Sequence, residues 1–100
     1  MHEYDIYLPT RRTDGRDVNE SVIQEIKAKL AQTFGGYTQM TQRCEGVWKY
    51  DGVIFRDEIM IIRVLDSGQC NLDMASFRKM LERTLSQERI LIVDREVKLL

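Results

Sequence analysis

The residues whose types could do chemistry are three carboxylates and a set of arginines. Asp57 and Glu58 stand just before the apolar run that begins at Ile59, and Arg56 precedes them. Charges within a strand are costly unless they lie at an edge, a bulge or a mouth, so the stretch stands out. Successive strand residues point to opposite faces, so Asp57 and Glu58 are not by themselves a carboxylate pair. One of them together with Asp5, on a neighbouring first strand, would supply an acid–base pair or two ligands for Mg²⁺. Cross-strand ion pairing with Arg56 is the structural alternative.

Arg11, Arg12 and Arg16 cluster in a loop that leads into a helix. Backbone amides at a helix start, together with guanidinium groups, can hold a phosphate or carboxylate. The loop has one glycine and nothing like G-x-x-x-x-G-K-[ST], which excludes that class of phosphate loop. Asp14 and Asp17 offset part of its charge, and a solvated loop is the alternative. Trp48, Tyr50 and Phe55 flank a tight turn, where they would pack across strands or wall a pocket. Tyr4 and Tyr7 allow the same two readings. The candidate ligand-binding residues are therefore Arg11, Arg12, Trp48 and Arg56, and the weak catalytic candidates are Asp5, Asp57 and Glu58. Nucleophilic catalysis has little support, since His2 sits beside the start and no G-x-S-x-G occurs. Cys44 and Cys70 lack zinc-ligand spacing, so no metal site is expected. They read as two free thiols of a reducing cytoplasm, with a redox pair as the alternative.

The elements that must position these residues follow from periodicity. Tyr4 to Leu8 alternates as a strand, and Pro9 ends it. A polar loop runs from Thr10 to Arg16. Asp17 is the expected N-cap of a helix, with Glu20 three residues on as in a capping box. Val22, Ile23, Ile26, Leu30 and Phe34 form its apolar stripe, and Gly35-Gly36 supplies the stop. A strand from near Tyr37 to Tyr50, with a bulge at Glu45-Gly46, turns at Asp51-Gly52 into a strand over Val53 to Leu65. A second helix covers Asp73 to Gln87, burying Met74, Phe77, Met80, Leu81, Thr84 and Leu85. Arg89 to Val93 is the last main strand, and Asp94-Arg95 reads as a break before Val97 and Leu99. The order predicts one α+β domain over residues 1–100, of the ferredoxin-like (split βαβ) kind. Both helices would lie on one face, with the first and third strands central.

That arrangement leaves one sheet face bare. Ile59, Met60, Ile61, Ile62, Val64 and Leu65 are nevertheless apolar at both parities, and Ile90 to Val93 repeats the pattern. A second copy applied to the same face would cover it, which predicts a homodimer; residues 37–50 or the C-terminal tail folding over that face is the alternative. The chain has 100 residues, 15 basic and 16 acidic, for a net charge of −1. That balance argues against nucleic acid as a partner. The runs 59–62 and 90–93 are too short to span a bilayer. The first residues carry no leader-peptide pattern, so a cytoplasmic protein is expected.

Tyr4-Asp5-Ile6-Tyr7-Leu8-Pro9, Phe34-Gly35-Gly36, Gly46-Val47-Trp48 and Arg56-Asp57-Glu58 together resemble a group of short, stand-alone bacterial proteins of unassigned function. The resemblance spans about two thirds of the chain. It implies the ferredoxin-like fold and a bacterial setting, and carries no catalytic residue across. The fold also resembles that of dimeric small monooxygenases and ligand-sensing regulatory domains, by analogy alone. Nucleotide-cyclase palm domains have a Gly-Gly-Asp-Glu turn at the central hairpin, where this chain has Asp51-Gly52. The departure argues against that activity. No cofactor is specified. The expected function is a homodimeric binding or regulatory module for a small anionic ligand or a protein. The alternative is a small acid–base or Mg²⁺-dependent enzyme using Asp57 or Glu58 with Asp5.

Overall fold

Strict alternation along the first strand sets up the core. The computed structural model describes residues 1–11, 15–40, 44–68, 72–87 and 89–100, except for the side chains at 44–46, 48, 50 and 55–57. In β1 (His2–Pro9), Ile6 and Leu8 are fully buried beneath the helices. They face Ile62 and Met60 of β4 (Val53–Asp66), to which β1 pairs antiparallel from His2↔Asp66 to Pro9↔Ile59. Their partners from above are Ile23, Ile26 and Leu30 of α1 (Glu20–Phe34) and Phe77 and Leu81 of α2 (Met74–Thr84). Burying each such Leu or Ile contributes roughly 1.5–3 kcal/mol. Both helices therefore cover one face, as the strand–helix order requires.

Among the described residues the sheet has five strands, in the order β2-β4-β1-β5, with β3 also paired to β4. The central positions of β1 and β4, the first and third strands of the βαββαβ order, match the expectation, and the architecture is α+β and ferredoxin-like. β5 (Ile92–Glu96) pairs antiparallel with β1. It runs through Asp94 and Arg95, which the sequence reads as a break. Both charges have partners there, His2 for Asp94 and Asp5 for Arg95, so the strand continues.

Two pieces replace the single incoming strand. β2 (Thr38–Gln39) pairs with β4 at Arg63 and Ile62, and β3 (Cys44–Tyr50) pairs with β4 from Ile59 to Val53. Pairing runs unbroken through Glu45 and Gly46, so no bulge lies there. Between the two pieces, four residues separate Gln39 from Cys44, while two separate their partners Ile62 and Ile59; residues 41–43 lie outside the described residues. The hairpin itself forms as expected. Asp51 and Gly52 have φ of 51° and 78°, the positive pair that a type I′ turn needs.

Helix ends give two corrections. Asn19, not Asp17, is the N-cap of α1, and its Oδ1 accepts from the Ser21 amide at 2.9 Å. Asp17 is instead held in a bridge to Arg11, closing the loop two residues earlier. Gly35 ends the helix at φ 82°, donating its amide to Ala31 O. In α2, Asp73 is the N-cap and accepts from Ala75 N and Ser76 Oγ. The helix stops at Thr84, which is exposed and donates to Met80 Sδ rather than joining the buried face. Among the described residues, no helix is long and apolar enough to cross a membrane.

The cap assignment is testable by urea denaturation. Asn19→Ala should destabilise the fold by about 1 kcal/mol, and Asp17→Ala by less than about 0.5 kcal/mol, as at an exposed site. The reverse ranking would return the cap to Asp17.

Candidate functional site

Asp5 occupies the centre of the bare sheet face, because odd positions of β1 point away from the helices. Its Cα partners are Arg63 on β4 and Val93 on β5. Arg63 donates to both carboxylate oxygens, from Nε to Oδ1 at 2.8 Å and from Nη2 to Oδ2 at 3.2 Å. Arg95 donates from Nη1 to Oδ2 at 2.7 Å. Glu3 joins the cluster, with its Oε1 3.0 Å from Arg63 Nε and 3.4 Å from Arg95 Nη1. Asp5 is only 3% exposed although no helix covers it, and the guanidinium groups beside it remain partly open to solvent.

The electrostatics are those of a locked cluster. The hydrogen bond from Arg63 is the strongest influence on Asp5 and holds its carboxyl below the usual carboxylate range. Burial opposes this, and Arg95 reinforces it. Both arginines are shifted upward, chiefly by the hydrogen bond to Asp5. Two acids and two bases give the cluster zero net charge. Asp5 is thus a poor general base, because its lone pairs are engaged and its proton affinity is lowered.

The sequence signal for this cluster was present but unpaired. Arg63 is the only charge in the run Ile59–Leu65, and a charge on an otherwise apolar strand needs a partner. Asp5 has the parity to be that partner once β1 and β4 are neighbours.

Asp5 and Glu58 do not come together. Glu58 lies five residues along β4 from Arg63, at the opposite parity, so it is about 17 Å away on the other face. Asp57 pairs through its backbone with Gly46, six residues or about 20 Å along β4 from Arg63. The two-carboxylate cleft expected from the sequence is therefore not assembled by this register. Arg56 pairs with Val47 and Trp48 with Phe55 along the hairpin. The side chains of Asp57, Arg56 and Trp48 lie outside the described residues, as do Arg12 and Cys70 entirely and the side chain of Cys44.

Glu58 and Arg11 instead share a cleft of about 370 Å³ at the foot of the hairpin. Thr10, Asp17, Val18, Glu20, Ile23 and Met60 complete its lining. Backbone bonds fix its walls: Thr10 N donates to Glu58 O, and Val18 N to Thr10 O. Gln87 Nε2 donates to Arg11 O at 2.6 Å and tethers the loop to the end of α2. Among the described lining residues, three carboxylates outnumber one guanidinium. Arg11 Nε is 3.7 Å from Asp17 Oδ1, and both side chains are largely exposed. Near the other end of the sheet, His2 Nδ1 lies 2.7 Å from Asp94 Oδ1 and the His2 ring stacks on Tyr4. Among the described residues, no group of three or more His, Cys, Asp and Glu could hold a metal ion.

The rest of the bare face is mainly aliphatic, with Tyr7 and Thr38 at the same parity. Ile59, Ile61 and Val93 are partly exposed, and Leu65 and Leu91 are exposed by 39% and 54%. Leu99 reaches one corner, beside Glu3, Arg63 and Leu65.

These features define a small ferredoxin-like protein with an ion-pair cluster on an uncovered sheet. No family model matches the chain, and no curated protein matches it in sequence. Among solved structures, it is similar to a phage SAM lyase in complex with S-methyl-5'-thioadenosine, at 14% identity and a TM-score of 0.65. That match covers 95% of this chain and 80% of the lyase. A divalent cation tolerance protein, CutA1, from Thermus thermophilus is similar at 13% identity and a TM-score of 0.63, covering 97% of this chain and 84% of that one. At these identities the likeness shows the fold.

Replacing Asp5 tests the cluster. Asp5→Asn should destabilise the fold by about 1.5–3 kcal/mol at neutral pH, the range for hydrogen bonds to charged groups. The folded carboxyl titrates below its usual range, so its stabilisation is complete at neutral pH and fades as acid protonates it. The gap between wild type and variant should therefore narrow in urea titrations taken from neutral pH down to about pH 3. A gap independent of pH would rule out an ionised Asp5 as the source.

Proposed function

We propose that this chain is a non-catalytic binding module that works as a homodimer joined through its bare sheet face. The observation that carries this reading is the surround of Asp5. Aliphatic side chains on two strands flank an ion cluster of zero net charge, on a face that no helix covers. Such a face can be applied to a copy of itself without net repulsion, and a twofold contact needs a self-complementary patch. The engagement of Asp5 by two arginines speaks against an acid–base role for it. The acid-rich described lining of the cleft near Arg11 gives little support to an anionic ligand there, so a protein surface, a second copy, is the favoured partner. The resemblance to short bacterial proteins and the expectation of free thiols fit a cytoplasmic bacterial module.

Sedimentation velocity of the purified chain tests this reading. A dimer is expected at micromolar concentration, and Ile61→Lys should shift it to monomer while the far-ultraviolet spectrum stays unchanged. A wild-type chain that remains monomeric at about 100 µM, some hundredfold above a typical 1 µM dissociation constant, would defeat the proposal.

A further inference from the structure

The β3–β4 hairpin projects beyond the body of the protein. β1 stops pairing with β4 at Pro9↔Ile59, and β3 pairs with β4 from that point outward through seven positions, Cys44↔Ile59 to Tyr50↔Val53. This ribbon makes an arm about 24 Å long, consistent with a long axis of 40 Å against 29 and 27 Å across. A two-stranded ribbon standing alone in water is marginally stable at best. Its described side chains nevertheless include exposed aliphatics on both sides, beside the charges of Lys49 and Glu58. Val47 and Ile54 share the parity of the helix-covered face and are 56% and 62% exposed. Val53 has the other parity and is 54% exposed.

We infer that the arm of each subunit clasps a second copy of this chain, extending the contact made by the bare sheet face. This inference rests on the homodimer reading above, and area favours it. The four-strand bare face measures roughly 19 by 20 Å, or about 400 Å². A stable dimer needs about 800 Å² from each partner. The arm adds roughly 240 Å² on each side, which brings face and arm together to about the required size. Continuity favours it as well. The arm is the outward half of β4, so one side of it prolongs the bare face without a break in register. A twofold axis through that face would send each arm across the other subunit, covering aliphatics that are exposed in the single chain.

The test is the dimer dissociation constant by sedimentation equilibrium for wild type, the arm variants Val53→Asp and Ile54→Lys, and the face variant Ile61→Lys. Val53 and Ile54 are exposed, so both arm variants should fold, which circular dichroism checks. The clasp predicts at least tenfold weaker dimerisation for Val53→Asp, on the side that prolongs the bare face, and a smaller loss for Ile54→Lys on the opposite side. Wild-type affinity in both arm variants, with Ile61→Lys dissociated, would overturn the clasp and leave the sheet-face dimer standing. Weakening by the arm variants but not by Ile61→Lys would support the arm and overturn the sheet-face contact. A monomeric wild type would overturn both.

Discussion

A carboxylate that is almost wholly excluded from solvent on an uncovered sheet must find its partners within that sheet, and most of the arrangement follows from how Asp5 does so. Arg63 and Arg95 reach it from the two strands on either side of β1. The three strands are thereby tied at one level. A slip of β1 by one residue would turn Asp5 toward Ile6's place under the helices and carry Ile6 out into solvent. An ion beneath two helices without partners would cost several kcal/mol. The cluster therefore specifies register, while the apolar core beneath the helices supplies most of the stabilisation.

The same cluster shapes what the bare face can bind. Its charges cancel, so it neither attracts polyphosphate nor repels its own copy. Buried ion pairs add little net affinity, but their directional bonds penalise misaligned contacts. Aliphatic groups around a fixed polar centre give a surface whose attraction comes from Ile59, Ile61, Leu91 and Val93 and whose alignment comes from Asp5 and its arginines. The hairpin arm continues that surface away from the body.

The fold was legible because it rests on periodicity. The alternation of Tyr4, Ile6 and Leu8, the helical stripe ending at Leu30 and Phe34, and Asp51-Gly52 each have one geometric solution. Boundaries were less legible where two residues compete for one role. Asp17 and Asn19 are both good caps, and the bridge from Asp17 to Arg11 decides between them. Asp94-Arg95 reads as a break because two charges seldom sit within a strand, and only the positions of His2 and Asp5 across the ladder show otherwise. The carboxylate pairing of Asp5 with Asp57 or Glu58 depended on a register that sequence does not display. The observed ladder places Arg63 opposite Asp5 and carries Glu58 to the foot of the arm, beside Arg11 and Thr10.

The state of the bare face can be read directly from methyl groups in solution. With isoleucine, leucine and valine methyls labelled, a soluble paramagnetic agent broadens those that meet water. Ile61 and Val93 should be shielded nearly as well as Leu30 of the core, while Leu100 at the terminus broadens fully. Ile61 and Val93 methyls broadened as strongly as Leu100, in wild-type protein at hundreds of micromolar, would contradict a face covered by a second copy.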